Sequence, residues 1–275
     1  MRSGLRRNGL MRRMMFLLVL LVVSAPFVRA ADVEVDLELV LAVDVSRSMS
    51  IEELAIQRRG YAEALTSPQV VAAITGGMLG RVAVTYVEWA GEYSQRVLVP
   101  WRLLSDETDA AAMADEIRSA TTPGLRRTSI SGLMLYAADS FEDNGFSGLR
   151  RVIDISGDGP NNQGRPVLRA RDAVLARGIT INGLPLMTSD ALSSLWGLPD
   201  LDLYYTDCVI GGPGAFVIPV HGWSQFADAV RRKMVLEIAA GPVALQPLPV
   251  SGRPAYDCLI GEKMWEENRP FLIIP

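Results

Sequence analysis

The sequence predicts a doubly wound α/β sandwich. Six strands, mostly parallel with one antiparallel edge strand, would be covered by helices on both faces in a Rossmann-like, three-layer arrangement. Three observations predict it. Residues 37–43 are apolar apart from Glu38, the pattern of a strand covered on both faces. Further apolar runs of strand length alternate with helical periodicity along the chain, as βαβ units require. A chain of 275 residues is also long enough for one sizeable α/β domain.

The N-terminal thirty residues stand apart from the fold. Arg2, Arg6, Arg7, Arg12 and Arg13 form a basic stretch, Phe16 to Val23 an apolar one, and Val28-Arg29-Ala30 places small residues at the two positions that define cleavage. This pattern predicts a secretory signal over 1–30 and a periplasmic or extracellular address. The apolar run is short for a membrane span, so membrane association is expected only if the segment stays uncleaved. The predicted organisation is then a domain over 31–240 and an irregular, proline-rich tail over 241–275. All 31 acidic residues lie beyond Ala30 but only 21 of the 27 basic ones, so the mature chain carries a net charge of −10. Such a surface argues against nucleic acid as a partner and suits attraction of cations. Cys208 and Cys258, the two cysteines, are a disulfide candidate in an oxidising compartment, with two buried thiols as the alternative.

The first strand ends in Asp44, Ser46 and Ser48, three oxygen-bearing side chains at alternate positions. Ser50-Ile-Glu-Glu53 fits a capping box, so a helix is expected to start there and run to about 65, until Gly76-Gly77 breaks the pattern. Arg81–Trp89 and Gln95–Trp101 read as strands joined by a tight connection, hence a hairpin. Glu88, near the end of its strand, reads as a solvated residue or as an outer-shell group of a site. Helices follow at about 107–120 and 130–142, with Thr128 on the loop before the second, where capping by Thr128 or Ser129 is the plain explanation.

Arg151–Ser156 is the next strand, and Asp158 lies on the glycine-flanked turn after it. Asp154, inside that strand, should be buried and should need a partner such as an arginine or backbone donors. A helix at about 165–177 and a strand at 179–184 follow. The irregular run Pro185–Asp202 is longer than an ordinary connection. Residues 215–220 read as a short last strand and 222–238 as the last helix. Of the five tryptophans, Trp196 in the long irregular run is the choice for a recognition residue.

Three strand ends or helix starts thus supply oxygens: Asp44, Ser46 and Ser48, then Thr128, then Asp158. A hard divalent cation such as Mg²⁺ takes near-octahedral oxygen ligands and keeps some waters. A donor set rich in hydroxyls and poor in carboxylates leaves such an ion short of negative charge, which suits capture of one more anionic oxygen.

The arrangement resembles the von Willebrand factor A domain and its metal-ion-dependent adhesion site. Asp44-Val-Ser46-Arg-Ser48 matches that family's Asp-x-Ser-x-Ser motif, Thr128 its second-loop threonine, and Asp158 in Ser-Gly-Asp-Gly its third-loop aspartate. The resemblance covers roughly 36–238. It implies that Ser46, Ser48 and Thr128 contact a metal, Mg²⁺ with Mn²⁺ or Ca²⁺ as alternatives, while Asp44 and Asp158 act directly or through water. It also implies a protein partner offering an Asp or Glu carboxylate, with Asn161 and Glu88 as outer-shell candidates. Stretches such as Ser-Gly-Asp-Gly-Pro-Asn-Asn are similar to a bacterial group of exported A-domain-like proteins without an assigned function. Two departures are the length of 185–202, where the expected helix would be short or distorted, and the additional tail with its cysteine.

The expectation is therefore an exported, metal-dependent binding module and not an enzyme. The alternatives are an A-type domain with a purely structural metal and a metal-dependent hydrolase. A haloacid-dehalogenase-type phosphatase would need a carboxylate where Ser46 stands. A serine hydrolase would need a nucleophile elbow and a histidine base, and the sole histidine is His221. No Gly-x-Gly-x-x-Gly follows the first strand, as dinucleotide binding would require.

Overall fold

Strand β2 (Glu38–Asp44) is buried along its whole length and sits in the middle of the sheet. Its alternate side chains feed two separate cores, because successive Cβ atoms of a strand point to opposite faces. Leu39, Leu41 and Val43 pack into one and Val40 and Ala42 into the other. A computed structural model describes residues 31–121, 124–188, 197–239 and 255–268. The chain divides after Asp32 into two compact units, and every element described here belongs to the second. The signal reading and Trp196 lie outside the described residues. Among the described residues no helix is long and apolar enough to cross a membrane.

In chain order the elements are β1 (Val33–Val35), β2, α1 (Ile51–Leu65), α2 (Pro68–Thr75), β3 (Val82–Trp89), β4 (Gln95–Leu104), α3 (Glu107–Ser119) and α4 (Ile130–Asp139). Then come β5 (Phe146–Gly148), β6 (Arg151–Gly157), α5 (Val167–Leu175), β7 (Thr180–Pro185), α6 (Leu201–Tyr204), α7 (Phe226–Ala239) and α8 (Ile260–Asn268). The main sheet runs β4-β3-β2-β6-β7, all parallel except β4, which pairs antiparallel with β3 as the hairpin reading expected. A separate parallel pair, β1 with β5, was not foreseen. Helices α1, α2, α3 and α7 cover one face; α4, α5 and the residues after α6 cover the other.

Five strands form the continuous ladder where six were expected. The stretch 215–220 occupies the sixth position beside β7 but pairs there through isolated parallel bridges, Gly183↔Val217 and, just past β7, Leu186↔Val220, and forms no continuous strand. Pro219 has no N–H to donate, and Gly212 and Gly214 turn the chain with positive φ just before it. The run 185–202, where a short or distorted helix was expected, lies partly outside the described residues, and one short helix begins at its end. It is α6, four residues that widen into a π-turn over Tyr205–Val209.

The tail departs from the irregular reading, since residues 260–268 form α8. The cysteines are joined, Cys208 to Cys258, with Cα atoms 5.5 Å apart. Tyr256 Oη donates to Asp200 Oδ1 at 2.7 Å beside that link.

Two buried carboxylates have partners that the sequence reading did not name. Glu88 is not solvated: it is 1 % exposed and accepts from Arg58 Nε at 2.9 Å and Nη2 at 2.8 Å. Asp154 meets a lysine, not an arginine. Lys233 of α7 places Nζ 2.7 Å from Asp154 Oδ1 and also bonds Glu237, whose Oε1 accepts from Asn182 Nδ2 at 2.9 Å. Asp154, Lys233 and Glu237 are all at most 1 % exposed. With two acids for one base in low dielectric, burial first and Glu237 second raise the Asp154 pKa to about 7, against the pull of Lys233.

Candidate metal centre

The site is assembled at the carboxyl end of β2 by hydrogen bonds between loops. β2 continues past Asp44 with Val45 N–H donating to Trp89 O at 2.9 Å. The chain then pairs with the loop before α4: Leu125 N–H donates to Val45 O at 2.9 Å and Arg47 N–H to Leu125 O at 2.7 Å, with Ser46 opposite Leu125. That second loop is tied to the third. Thr128 N–H donates to Asn162 Oδ1 at 3.0 Å, and Asn162 N–H returns to Thr128 O at 2.9 Å. The three loops named by the sequence are therefore zipped together.

Local chemistry sets each side chain. The capping box at the start of α1 forms as read: Ser50 N–H donates to Glu53 Oε2 at 2.7 Å and Glu53 N–H to Ser50 Oγ at 3.3 Å. Glu53 Oε1 also accepts from Trp223 Nε1 at 2.7 Å. At α4 the cap is Ser129, whose Oγ accepts from Gly132 N–H at 3.1 Å. Capping thus does not consume the Thr128 hydroxyl, which stays available to the recess.

The predicted residues converge. Ser46 Oγ lies 2.9 Å from Ser48 Oγ, and Ser48 Oγ donates to Asp158 Oδ1 at 2.9 Å. Ser48, Thr128 and Asp158 line a recess of about 20 Å³, together with Gly159, Pro160, Asn162 and Gly197. That volume suits one small ion or water. Asp44 and Ser46 are buried and do not line the recess. Asp44 Oδ1 accepts from Ser46 N–H at 2.7 Å, while Oδ2 has no hydrogen-bond partner among the described residues. Burial, and then the charge of Asp158, raise the Asp44 pKa well above the ordinary carboxylate range, partly offset by the Ser46 N–H.

Sequence reasoning missed the surroundings of Asp44 Oδ2. Tyr205 Oη and Trp89 Nε1 are also buried without hydrogen-bond partners among the described residues. A Cβ at Gly157 would stand 2.9 Å from Tyr205 Oη, 3.0 Å from Asp44 Oδ2 and 3.3 Å from Trp89 Cζ2, so glycine keeps this polar pocket open. Of the outer-shell candidates, Glu88 is absorbed by Arg58. Asn161 shapes the third loop: its Oδ1 accepts from Ser131 N–H at 2.9 Å and its Nδ2 donates to Glu262 Oε1 of α8 at 2.8 Å. Neither lines the recess.

The donors fit a divalent cation. Two carboxylates, the buried one with an orphaned oxygen, and three hydroxyls form a hard, all-oxygen set whose formal charge a 2+ ion balances. Among the described residues no three His, Cys, Asp or Glu side chains cluster to hold a metal, as expected where hydroxyls dominate.

A mostly parallel, doubly wound sheet with helices on both faces is a von Willebrand factor A-like fold. Solved structures share the fold. Proximal thread matrix protein 1 from the mussel byssus superposes with a TM-score of 0.56 at 15 % identity, over 76 % of this chain and 49 % of that one. The pilus adhesin SpaC from Lactobacillus rhamnosus GG gives 0.56 at 11 % identity, over 76 % and 32 %. A von Willebrand factor type A protein from Catenulispora acidiphila gives 0.50 at 17 % identity, over 74 % and 43 %. The matched region thus spans about half or less of each of these chains. The chain belongs to the family described as "Protein of unknown function (DUF1194)", whose sequence model matches residues 34–242. No curated protein matches the sequence.

Proposed function

We propose that this protein is an exported adhesion-type module in which Asp44, Ser46, Ser48, Thr128 and Asp158 hold a divalent cation, Mg²⁺ in the first instance, that captures an Asp or Glu carboxylate of a partner protein. The observation that carries the reading is the convergence of Ser46, Ser48 and Asp158 through contacts of 2.9 Å beneath a recess that Thr128 also lines. When bound, the ion supplies a hard, incompletely neutralised centre for an anionic oxygen. The residues of the chain do the rest. Ser48 and Asp158 present oxygens from the first and third loops, the bonds between Thr128 and Asn162 tie the second loop to the third, and the buried Asp44 carboxyl stands behind Ser46.

Non-enzymatic binding is part of the proposal. His221 is exposed and does not line the recess, so no histidine base stands beside the hydroxyls. The basic and apolar segments before Ala31, with a disulfide between Cys208 and Cys258, support export to an oxidising compartment. The von Willebrand A-like fold is shared with a pilus adhesin, which supports a binding role by analogy.

The test is calorimetric titration of metal-stripped mature protein with Mg²⁺ and Mn²⁺, beside Asp158→Ala. One saturable ion per chain, lost in the variant, is expected, followed by metal-dependent capture of a partner. Absence of binding to wild type would refute the proposed site.

A further inference from the structure

Arg127 immediately precedes Thr128 and has left-handed backbone geometry, φ 77°. For a residue with a Cβ that conformation is disfavoured, and such strain persists only where the surroundings enforce it. Backbone bonds hold the next two residues, Thr128 N–H to Asn162 Oδ1 and Ser129 N–H to Ala90 O, and the tail that the sequence reading took as irregular holds the Arg127 side chain. The guanidinium carbon of Arg127 lies over the indole of Trp265, 3.0 Å from the ring centroid. Trp265 belongs to α8, which is anchored at its other end to the Asp158 loop. Gly261 approaches so closely that a Cβ there would stand 2.1 Å from Asn161 O, and Glu262 accepts from Asn161 Nδ2. The Cys208–Cys258 bond fastens the segment just before the helix. α8 therefore bridges the second and third loops of the candidate metal centre and presses an aromatic ring against a cation at its rim.

Stacking covers one face of a guanidinium and leaves the in-plane N–H donors exposed as a fork. Among the described residues no oxygen accepts from Arg127 and no carboxylate pairs with it. The charge that acts on it, Arg126, is also positive. Glu262, the acid on the inner side of α8, is engaged by Asn161. A pre-positioned, unsatisfied arginine fork is a carboxylate receptor.

We propose that Arg127, held by Trp265, is a second anion anchor, so that the partner presents an acidic pair: one carboxylate to the metal recess and one to the Arg127 fork. This inference rests on the metal-bridge reading above and specifies the partner.

The test measures binding of mature protein, in Mg²⁺ buffer, to a blocked peptide with one aspartate and to counterparts bearing a second acidic residue one, two or three positions away. One member of the two-acid series should bind about ten-fold more tightly than the single-acid peptide, as expected of charge-assisted hydrogen bonds to a prepared fork. Arg127→Asn suits the left-handed backbone while removing the guanidinium, and it should abolish that difference with one Mg²⁺ still bound per chain. Trp265→Ala, which leaves the charge but frees it, should reduce the preference to a few-fold. Equal affinity for all peptides in the wild type, or a preference that survives Arg127→Asn, overturns the inference and leaves the metal-bridge reading intact. Failure of every peptide to bind the Mg²⁺-loaded protein overturns the metal-bridge reading, and this inference with it.

Discussion

Replacing Lys233 by methionine tests how the sheet tolerates charge at its centre. Lys233 is fully buried, with Nζ 2.7 Å from Asp154 Oδ1 and bonded to Glu237. Methionine fills the space of the lysine stem but leaves two carboxylates facing each other without a counter-charge. Removing one partner of a buried ionic group costs about 3–5 kcal/mol, a large part of the roughly 5–15 kcal/mol that stabilises a domain. The loss should depend on pH, with a sign that the native protein already fixes. Asp154 has a folded pKa of about 7, above the ordinary value of 3.8, so its ionisation costs stability progressively as pH rises from about 4 to about 7. Lys233 lowers the Asp154 pKa, so without it Asp154 holds its proton to still higher pH. From pH 5.5 to 8 the variant therefore loses about 3.5 kcal/mol through the proton retained on Asp154, at about 1.4 kcal/mol per pH unit, where the wild type loses about 2 before Asp154 has titrated. The assay is urea unfolding of both proteins at the two pH values. The variant should be destabilised at both and by about 1–2 kcal/mol more at pH 8. A loss below about 1 kcal/mol, or a larger loss at pH 5.5, would refute the reasoning.

Two further outcomes follow from the disulfide and from Asp44. Cys258→Ser opens a loop of 50 residues, worth up to about 4 kcal/mol in the chain-entropy model; it should lower the thermal midpoint and expose 255–268 to protease before the rest of the domain. An unchanged midpoint and digestion pattern would count against α8 being held by that bond. Cation affinity should rise with pH, because the raised pKa of Asp44 makes a proton compete with the ion, and deprotonation favours the bound state. Mn²⁺ titrations across a series of pH values check this, and binding that tightens as pH falls would contradict the assignment of Asp44.

The Asp-x-Ser-x-Ser turn was legible because it is local: an apolar run, three alternating oxygens and a capping box within seventeen residues. Thr128 was legible by resemblance alone, since its competing role as a cap is set aside only when Ser129 is seen to take it. Lys233 was not legible. On a helix whose neighbours include Arg231 and Arg232, a third base reads as solvent-facing, and only packing of α7 on the sheet buries it. Glu88 was read as solvated for the same reason, because its burial is decided by Arg58 thirty residues earlier. α8 was missed because nine residues do not make a stable helix on their own. Its docking on Asn161 and Arg127 supplies what its own propensity lacks.

The sequence by itself determined the class of the fold and the loops that carry the donor oxygens, since hydrophobic period, turn residues and caps act over a few neighbouring residues. Tertiary structure alone decided which buried charge meets which, that the three loops are zipped into one recess, and that the tail returns to brace its rim. Those features join residues thirty to more than a hundred positions apart, and only the packed sheet and the Cys208–Cys258 link bring them within bonding distance.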